Sequence, residues 1–332
     1  MYQFDERHSV LHGFSDFYAK EIHPVLEEGE ALRLISYRRG NLIHIFGFLA
    51  CCICLGLYFF GKITGGELFV FIFFISLFTY TTRGVLLDKF IDKTKDVIIG
   101  GVCAYLELYY FLRPNDGVAK DKYQNFSAPN WGPFSVVPHI ETMSSLGLVA
   151  NYHHRSIEDI FFGKYRETQF FTHQLRLFKT SIEPGVGSKD VFVGQIWVIN
   201  YDHKFTGETV VLRDRGLLNP RSKAKMKRVG LVDPIFEKIF EVYSTDQVEA
   251  RYLLTPTFMQ KLVDLEQSVD GKKIRFAFSG GKLLIAVETE NRFEAGSMFD
   301  PLTSAERTQK ILDEISAIYD VIDSVVTQKR PS

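Results

Sequence analysis

Two apolar segments between Leu42 and Thr82 constrain this 332-residue sequence more than any other feature. The segment from Leu42 to Gly61 contains no Asp, Glu, Lys or Arg and has roughly the 20 residues that an α-helix needs to cross about 30 Å of hydrocarbon. The segment from Leu68 to Thr82 is shorter, but it has no polar face for water and reaches spanning length if Arg83 extends to the interface. We therefore predict a transmembrane hairpin. The alternative is two core helices of a soluble domain.

The cations around this hairpin indicate its orientation. Cytoplasmic ends of membrane helices carry an excess of Lys and Arg, whereas the connecting turn here has only Lys62. The flanking cations are Arg33, Arg38 and Arg39 before the first span and Arg83, Lys89, Lys93 and Lys95 after the second. We therefore predict that both termini are cytoplasmic. Residues 1–6 lack the basic start of a secretory signal, so the hairpin is expected to remain in the mature protein.

The hairpin divides the chain into three predicted segments. Residues 1–41 form an N-terminal amphipathic helix and a juxtamembrane segment, residues 42–82 form the hairpin, and residues 83–332 form a cytoplasmic α+β region with possible halves 83–216 and 229–332. The apolar face of the amphipathic helix comprises Leu11, Phe14, Tyr18, Ile22 and Val25. Pro24 is expected to bend or stop this helix. Its polar face has as much acid as base, which favours packing on the cytoplasmic domain over lying on lipid.

Alternating side chains predict strands after the membrane. The run Leu106–Leu112 is strand-like, and residues 113–139, rich in Pro, Gly and Asn, are typical of a long loop. Ser156 is expected to begin a short helix with Glu158 and Asp159 in its first turn. Strands 168–181, 191–201 and 207–214 follow, with connections too short for parallel crossovers. This pattern predicts an antiparallel meander.

A second group of elements completes the predicted fold. Residues 240–243 and 248–254 are strand candidates, residues 257–268 are a predicted helix, and 273–278 and 282–288 form a predicted hairpin. A C-terminal helix over 304–327 has apolar residues alternately four and three apart, which allows a coiled-coil seam. An additional apolar row favours docking on its own sheet. The predicted fold class is α+β: an N-terminal two-helix transmembrane hairpin, then a cytoplasmic region with antiparallel sheet(s) and a long C-terminal helix.

Small residues within the spans are candidates for helix packing. In membranes, small residues spaced four apart let helix backbones approach closely. The predicted membrane-packing residues are Gly47, Ala50, Cys51 and Cys54 in the first span and Ser76 and Thr79 in the second. Because three of the four cysteines lie inside one span, packing is favoured over a disulfide framework, a zinc site or redox chemistry.

A basic run follows the predicted meander. It comprises Arg213, Arg215, Arg221, Lys223, Lys225, Lys227 and Arg228, with Asp214 as its one acid. In a membrane-tethered protein, Arg221, Lys223, Lys225, Lys227 and Arg228 are candidate contacts for anionic lipid. The alternative is a solvated loop between two domain halves, and the sequence does not favour either. The formal net charge of −1 and the lack of interleaved aromatic residues argue against nucleic acid.

The sequence contains no catalytic motif of good specificity. It lacks a P-loop, a dinucleotide fingerprint, GxSxG and HExxH. His153 and His154 are adjacent and do not share a face, so a solvated pair is favoured over a metal site. His44 lies two residues inside the first span, where imidazole reaches the headgroups, and a proton role is the less favoured alternative. We predict no catalytic residue, no metal and no cofactor.

Several runs resemble a known family. They are Phe240–Ser244, Asp246–Phe258, Phe17-Tyr18 through Pro24, Ile157–Ile160 with Gly163-Lys164, and Phe192–Gln195 leading to Thr206–Leu212. Together they are similar to the bacterial membrane-protein family catalogued as domain of unknown function 3137. The resemblance implies two spans, a cytoplasmic α+β region and frequent association with LemA-type membrane proteins, and it supplies no activity or cofactor.

The central run, Asp246–Phe258, is called the family run, and its residues have an expected structural role. Asp246 and Glu249 near Arg251 are typical of a turn and a cross-strand charge set, in a strand that includes Tyr252 and leads into a helix with Pro256 in its first turn. The function we expect is a membrane-anchored cytoplasmic scaffold or adaptor of the bacterial inner membrane. It would bind membrane lipid and either itself or a LemA-type protein. The alternatives are an uncharacterised membrane-bound enzyme and a subunit of an oligomeric channel or transport accessory complex.

Overall fold

The computed structural model describes residues 2–113, 136–180, 187–201, 206–213, 226–268, 273–289 and 301–326. Contacts within the chain define two compact units. The first comprises Met1–Tyr105 with Glu294–Lys310, and the second comprises Leu106–Phe293 with Ile311–Ser332. Both long apolar helices belong to the first unit, and every strand of the sheet belongs to the second.

The first unit is helical. A 3-10 turn at Ser9–Leu11 precedes α1 (Phe14–Phe17), a π-helical turn at Tyr18–Ile22, α2 (His23–Phe59) and α3 (Gly65–Tyr105). Pro24 lies in the first turn of α2, directly after the π-helical turn. Proline has no N–H to donate and its ring crowds the preceding turn, and the wider π turn accommodates both effects. Of the expected bend or stop at Pro24, the stop is therefore wrong, because the helical run continues through this residue.

The π-helical turn also changes which residues are buried. The predicted apolar face is buried at Leu11, Phe14, Tyr18 and Ile22. Val25, however, is 46% exposed, and Leu26 is buried in its place. A π turn holds more residues than an α turn, so the buried face moves on by one position. Ile22 packs against α3, where a Cβ atom added to Gly101 would lie 2.9 Å from its side chain.

Two helices of the first unit are long and apolar enough to cross a membrane. In the described part of the chain, these are the helical run Ser9–Phe59, which includes α2, and the segment Gly65–Thr82 of α3. The most apolar stretch of each has no residue that is buried within the chain. The turn between them ends in a capping box, because the Glu67 carboxylate accepts hydrogen bonds from Thr64 N at 2.7 Å and Thr64 Oγ1 at 2.9 Å. The two apolar helices predicted from the sequence are confirmed.

The second unit contains a nine-stranded antiparallel sheet. Its strands, as far as the structure describes them, are β1 (Tyr109–Phe111), β2 (His154–Tyr165), β3 (Thr168–Lys179), β4 (Lys189–Asn200), β5 (Thr209–Arg213), β6 (Lys227–Val229), β7 (Phe240–Ser244), β8 (Ile274–Ser279) and β9 (Lys282–Glu288). Its helices are α4 (Val136–Leu146), α5 (Pro234–Ile239), α6 (Gln247–Leu253), α7 (Pro256–Ser268) and α8 (Ala305–Val326), of which α8 also contributes its first residues to the first unit. The predicted α+β class is confirmed.

The strand order differs from a simple meander. It is β1-β2-β3-β4-β9-β8-β5-β7-β6, so β9 occupies the place beside β4 that the sequence assigned to β5. The predicted meander therefore holds for β3 and β4 and is wrong for β5, which pairs with β7 and β8. Gly194 permits the β4–β9 pairing, because any Cβ there would overlap the carbonyl oxygen of Val287. One sheet thus takes strands from both of the predicted halves.

Two local predictions are wrong. Ser156, Glu158 and Asp159 do not begin a helix, because they lie in β2, where the register shifts between Glu158 and Phe161 and Asp159 has φ 49°. Their polar spacing matches a helix start, but the apolar residues that follow pair with β1 and β3. Residues 248–254 do not form a strand, because Asp246 caps a helix there instead. The expected loop 113–139 lies mostly outside the described residues, and its end belongs to α4.

Helices cover both faces of the sheet. Phe171, Leu175 and Ile196 form a core on one face with Ile140 and Met143 of α4. Side chains alternate along a strand, so Phe170 lies on the opposite face. There the Tyr319 ring of α8 is 3.9 Å from the Tyr165 ring and 5.9 Å from the Phe170 ring, centroid to centroid. The C-terminal helix therefore docks on its own sheet, as its second apolar row predicts.

Candidate functional site

Small residues line the side of α2 that faces α3. Covered or half-covered positions recur alternately four and three residues apart on both helices. They are Gly40, His44, Gly47, Cys51 and Cys54 on α2 and Leu68, Ile72, Ile75, Thr79 and Thr82 on α3. This spacing is the heptad repeat of left-handed helix packing. We call these residues the hairpin seam.

Gly47 contacts Thr79 across the hairpin seam. A Cβ atom added to Gly47 would lie 2.6 Å from Thr79 Cγ2 and 3.8 Å from Ile75 Cγ2. Thr79 is fixed in this position, because its Oγ1 donates a hydrogen bond to the carbonyl oxygen of Ser76 at 3.0 Å. Ala50, like Cys51 and Cys54, is half-buried on α2. Gly47 and Thr79, chosen separately from the sequence, therefore meet within one hairpin.

Ser76 does not belong to the hairpin seam. Its side chain is exposed, although the sequence grouped it with Thr79 as a packing residue. Ser76 follows the seam residue Ile75 by one position, which turns its side chain about 100° around the helix axis. The membrane-packing role of Ser76 therefore lies outside the hairpin seam and stays a prediction.

The structure describes Arg213 at the start of the basic run and Lys227 and Arg228 at its end. Arg221, Lys223 and Lys225 lie outside the described residues, and Lys227 and Arg228 are exposed on the edge strand β6. The Arg228 guanidinium is 3.6 Å from the Glu241 carboxylate and its side chain remains 62% exposed.

Asp246 and Glu249 of the family run are hydrogen-bonded to backbone groups. Asp246 Oδ1 accepts hydrogen bonds from Val248 N at 2.8 Å and Glu249 N at 3.0 Å, which caps α6. The Glu249 carboxylate accepts one bond from Thr206 N at 3.0 Å and one from Gly207 N at 2.9 Å. Glu249 therefore holds the chain entering β5 against the start of α6. The cross-strand charge set expected from the sequence is replaced by a cap and a two-bond clamp.

Neighbouring hydroxyl groups reinforce this corner. Thr209 Oγ1 and Ser244 Oγ are 2.9 Å apart, and Thr245 Oγ1 accepts a hydrogen bond from Glu208 N at 2.8 Å. Glu208 and Thr209 come from the run Thr206–Leu212 and Ser244 from the run Phe240–Ser244, both of which carry the family resemblance, and Thr245 directly follows the second. The structural role expected of the family run therefore has a physical basis.

The remaining residues of the family run lie on helices. Arg251 is exposed and donates to the carbonyl oxygen of Gln247 at 3.2 Å, and Tyr252 is 39% exposed. Pro256 is the first residue of α7, where the missing N–H costs nothing, as the sequence predicts. The Arg251 and Tyr252 side chains of α6 thus face outward.

A buried histidine, His173, and a partly buried one, His139, form a pair that the sequence did not reveal. His173 of β3 is fully buried between Phe171 and Leu175, and its Nε2 has no hydrogen-bond partner among the described residues. Burial, reinforced by the neighbouring His139, lowers the pKa of His173 to about 4. Burial, reinforced by Lys282, also lowers the pKa of His139 to about 4. Both are neutral at pH 7. The sequence signal was a histidine at an inward position of an apolar strand.

The described residues do not form a recognisable metal centre. No group of three or more His, Cys, Asp and Glu residues that could hold a metal ion occurs among them. His153 and His154 are exposed, and the His154 ring stacks on Phe178 at 5.3 Å between centroids. Cys103 is buried, which raises the pKa of its thiol and disfavours the reactive thiolate.

A comparison with family models matches the C-terminal part of this chain, which contains the capped corner. The family model described as "Protein of unknown function (DUF3137)" matches residues 190–326, which include all but the first residue of β4, the family run and α8. The resemblance to this family is therefore confirmed. No curated protein matches the sequence. The solved structure of the mycobacterial trehalose monomycolate transport factor A, TtfA, is similar at a TM-score of 0.34 and 15% identity, over 70% of this chain and 95% of that chain.

Proposed function

We propose that this protein is a cytoplasmic scaffold anchored in the bacterial inner membrane. Its hairpin crosses the membrane twice, both termini are cytoplasmic, and it self-associates or binds a membrane protein such as a LemA-type partner. It performs no catalysis in this proposal. The observation that carries it is the outer surface of the hairpin.

That outer surface is apolar and exposed. Phe48 is 70% exposed and Phe59 is 84% exposed on α2, while Phe69, Phe73 and Phe74 are 72%, 54% and 61% exposed on α3. A soluble protein rarely exposes a contiguous apolar surface of this kind to water, whereas hydrocarbon accommodates it at no cost. The exposed cations Arg38 and Arg39 before the span, against Lys62 alone in the turn, support cytoplasmic termini.

The family run supports a role in structure over one in catalysis. Catalytic carboxylates need access to a substrate, whereas Asp246 and Glu249 each accept two backbone hydrogen bonds within the chain. These hydrogen bonds fix the position of α6. A rigid framework of this kind suits a protein whose task is to present surfaces to others.

The hairpin seam indicates where a second membrane helix would bind. Gly47 already faces Thr79 of the same chain, so this small-residue face is occupied. Contact with another copy or with a partner is therefore expected on the outer surface, where Phe73 and Phe74 lie.

Photocrosslinking in native membranes tests this proposal. A photoreactive amino acid is placed at Phe73 on the outer surface, and at the seam residue Ile75 as the matched control. Two residues of one helix at the same membrane depth then differ only in the side they face. We expect Phe73 to crosslink to a second copy or a membrane protein, identified by mass, and Ile75 to crosslink within the chain. A second variant carries the photoreactive amino acid at Phe74. If neither Phe73 nor Phe74 gives any product other than the monomer, the scaffold proposal is contradicted.

A further inference from the structure

A row of outward-facing side chains on α3 runs beside the hairpin seam. It consists of Phe69, Phe73, Ser76 and Tyr80, which recur alternately four and three residues apart. Each residue follows a seam residue by one position, so the row is turned about 100° around the helix axis from the seam. The three aromatic side chains are 72%, 54% and 77% exposed, and the Ser76 side chain is also exposed. We call these four residues the Ser76 row.

Ser76 places a hydroxyl group in the interior of the proposed span. It lies close to the middle of the apolar segment from Leu68 to Thr82. Water is scarce at this depth and acyl chains have no hydrogen-bonding atoms, so an outward hydroxyl group needs a partner from protein. Tyr80 lies near the cytoplasmic end of the segment, where its own hydroxyl group reaches the headgroups.

Two threonines of α3 satisfy their hydroxyl groups within the helix. Thr79 Oγ1 donates to the carbonyl oxygen of Ser76 at 3.0 Å, and Thr81 Oγ1 donates to the carbonyl oxygen of Leu77 at 2.9 Å. The Ser76 hydroxyl group forms no such bond in the part of the chain that the structure describes. The neighbouring outward row, which contains Phe74, Leu77 and Thr81, therefore needs no polar partner at this depth, whereas the Ser76 row does.

A second copy of the same helix supplies that partner by symmetry. Two copies inserted with the same orientation are related by a two-fold axis along the membrane normal, so their α3 helices run parallel and equal residues meet at equal depth. A hydroxyl group both donates and accepts, so Ser76 of each copy bonds to that of the other. The Ser76 row contains no charged residue, so two copies bring no like charges together along it.

The spacing of the Ser76 row fits the same arrangement. Residues alternately four and three apart form the seam of left-handed packing between parallel helices. Phe73 and Tyr80 then pack on either side of Ser76, with aromatic contact area that is exposed in the single chain. A single polar residue in an otherwise apolar seam fixes the register of the two helices.

We propose that the Ser76 row binds the Ser76 row of a second copy, as a parallel pair of α3 helices. This inference rests on the proposed function, and it names the partner and the contact face of the self-association stated there. Lipid alone leaves the Ser76 hydroxyl group without a partner. A different membrane protein would need a polar residue of its own at the same depth.

Disulfide crosslinking of the full chain in native membranes tests this inference. In the background for all variants, buried Cys103 is kept and three cysteines are replaced by Ala, namely Cys51, Cys52 and Cys54. A single cysteine is then placed at Ser76 or Phe73, and copper phenanthroline oxidises pairs of thiols that meet. Tagged and untagged chains are co-expressed, so that a product containing both is identified as two copies.

The matched controls are Leu77→Cys and Phe74→Cys. Each lies one residue after a test position, at nearly the same depth, on the neighbouring outward row. We expect the dimer yield at Ser76→Cys and Phe73→Cys to exceed the yield at the two controls at least fivefold.

Removal of the hydroxyl group tests the role of Ser76 itself. Self-association is measured by energy transfer between labelled chains in liposomes at increasing lipid dilution. Ser76→Ala should weaken association about threefold, the value of one hydrogen bond between membrane helices. Thr81→Val removes a hydroxyl group that bonds within its own helix, so it should leave association unchanged. Equal effects of the two variants overturn the pairing through Ser76.

The other outcomes separate this inference from the proposed function. Dimers at positions 77 and 74, with none at 76 and 73, overturn the inference and leave self-association intact. If photocrosslinking at Phe73 captures a different membrane protein and no disulfide dimer forms, the inference fails and the scaffold stands. If neither method gives a product, or if alkaline carbonate releases the chain from the membrane, the inference and the proposed function fail together.

Discussion

Replacing Glu249 with glutamine removes one half of the clamp that holds the start of β5. The carboxylate accepts hydrogen bonds from Thr206 N and Gly207 N through separate oxygens, Oε1 and Oε2. A glutamine of the same size has one acceptor oxygen and directs its amide N–H₂ at the second backbone N–H. One hydrogen bond is lost and a donor is left facing a donor.

The expected cost follows from these contacts. A hydrogen bond to a charged group contributes about 1.5–3 kcal/mol, and water reaches the exposed Thr206 N–H and reduces that value. We expect Glu249→Gln to lower the free energy of unfolding by about 1–2 kcal/mol beyond the loss of charge at the helix start.

Glu237→Gln is a matched control for that charge. Glu237 is also an acid in the first turn of a short helix, but its carboxylate accepts one backbone bond, from Leu231 N. Glutamine preserves this bond by turning its carbonyl oxygen toward Leu231. Glu237→Gln should therefore cost about 0.3–1 kcal/mol, the value of the charge alone.

The assay is urea unfolding of the full chain in nanodiscs with Trp131→Phe as the background, so that fluorescence reports Trp197, which is 1% exposed in the sheet. Hydrogen exchange at residues 206–209 provides a local measurement, and we expect faster exchange there in Glu249→Gln but not in Glu237→Gln. Equal losses of stability in the two variants, with unchanged exchange at 206–209, would refute the clamp.

Three further changes should behave as follows. Gly194→Ala should lower the free energy of unfolding by about 3 kcal/mol or more, because its Cβ meets a backbone carbonyl, whereas Gly187→Ala, with open space around it, should be neutral in the same urea assay. The folded pKa of His173 is lowered from 6.5 to about 4, so the unfolded state binds more protons between these values; His173 should account for a loss of about 2 kcal/mol of stability from pH 7 to pH 5, and His173→Leu should remove that share and leave the share of His139, whose pKa is also lowered to about 4. Gly47→Ala should lower the thermal midpoint of the helical signal in nanodiscs, and adding Thr79→Ala should restore it; no rescue would contradict the hairpin seam.

Local pattern was sufficient for several elements of this fold. The hairpin around Ser279 was predicted by Gly280 and Gly281, which have φ of 59° and 73° and join β8 to β9. The N-terminal apolar face and α8 were predicted because helical periodicity needs no partner to be recognised. The shift from Val25 to Leu26 was not, because a π turn depends on how Pro24 is accommodated.

The pairing of strands that are distant in the chain could not be predicted from the sequence. The placement of β9 beside β4 joins residues about 90 positions apart, and it follows from the close approach at Gly194, which no local pattern encodes. Similarly, Asp246 is a recognisable helix cap, but the partners of Glu249 lie 42 and 43 residues earlier. Gly47 and Thr79 were identified by their size, and their contact followed only from the register of the hairpin seam.

Labelling of the hairpin turn in intact cells tests the membrane anchor most directly. In the variant lacking Cys51, Cys52 and Cys54, Lys62→Cys places a single exposed thiol in the turn and Glu167→Cys places one on the sheet. A membrane-impermeant maleimide added outside the inner membrane should label position 62 and should reach position 167 only after the membrane is permeabilised. Labelling of both positions only after permeabilisation, or release of the protein by alkaline carbonate, would contradict a two-span anchor with cytoplasmic termini.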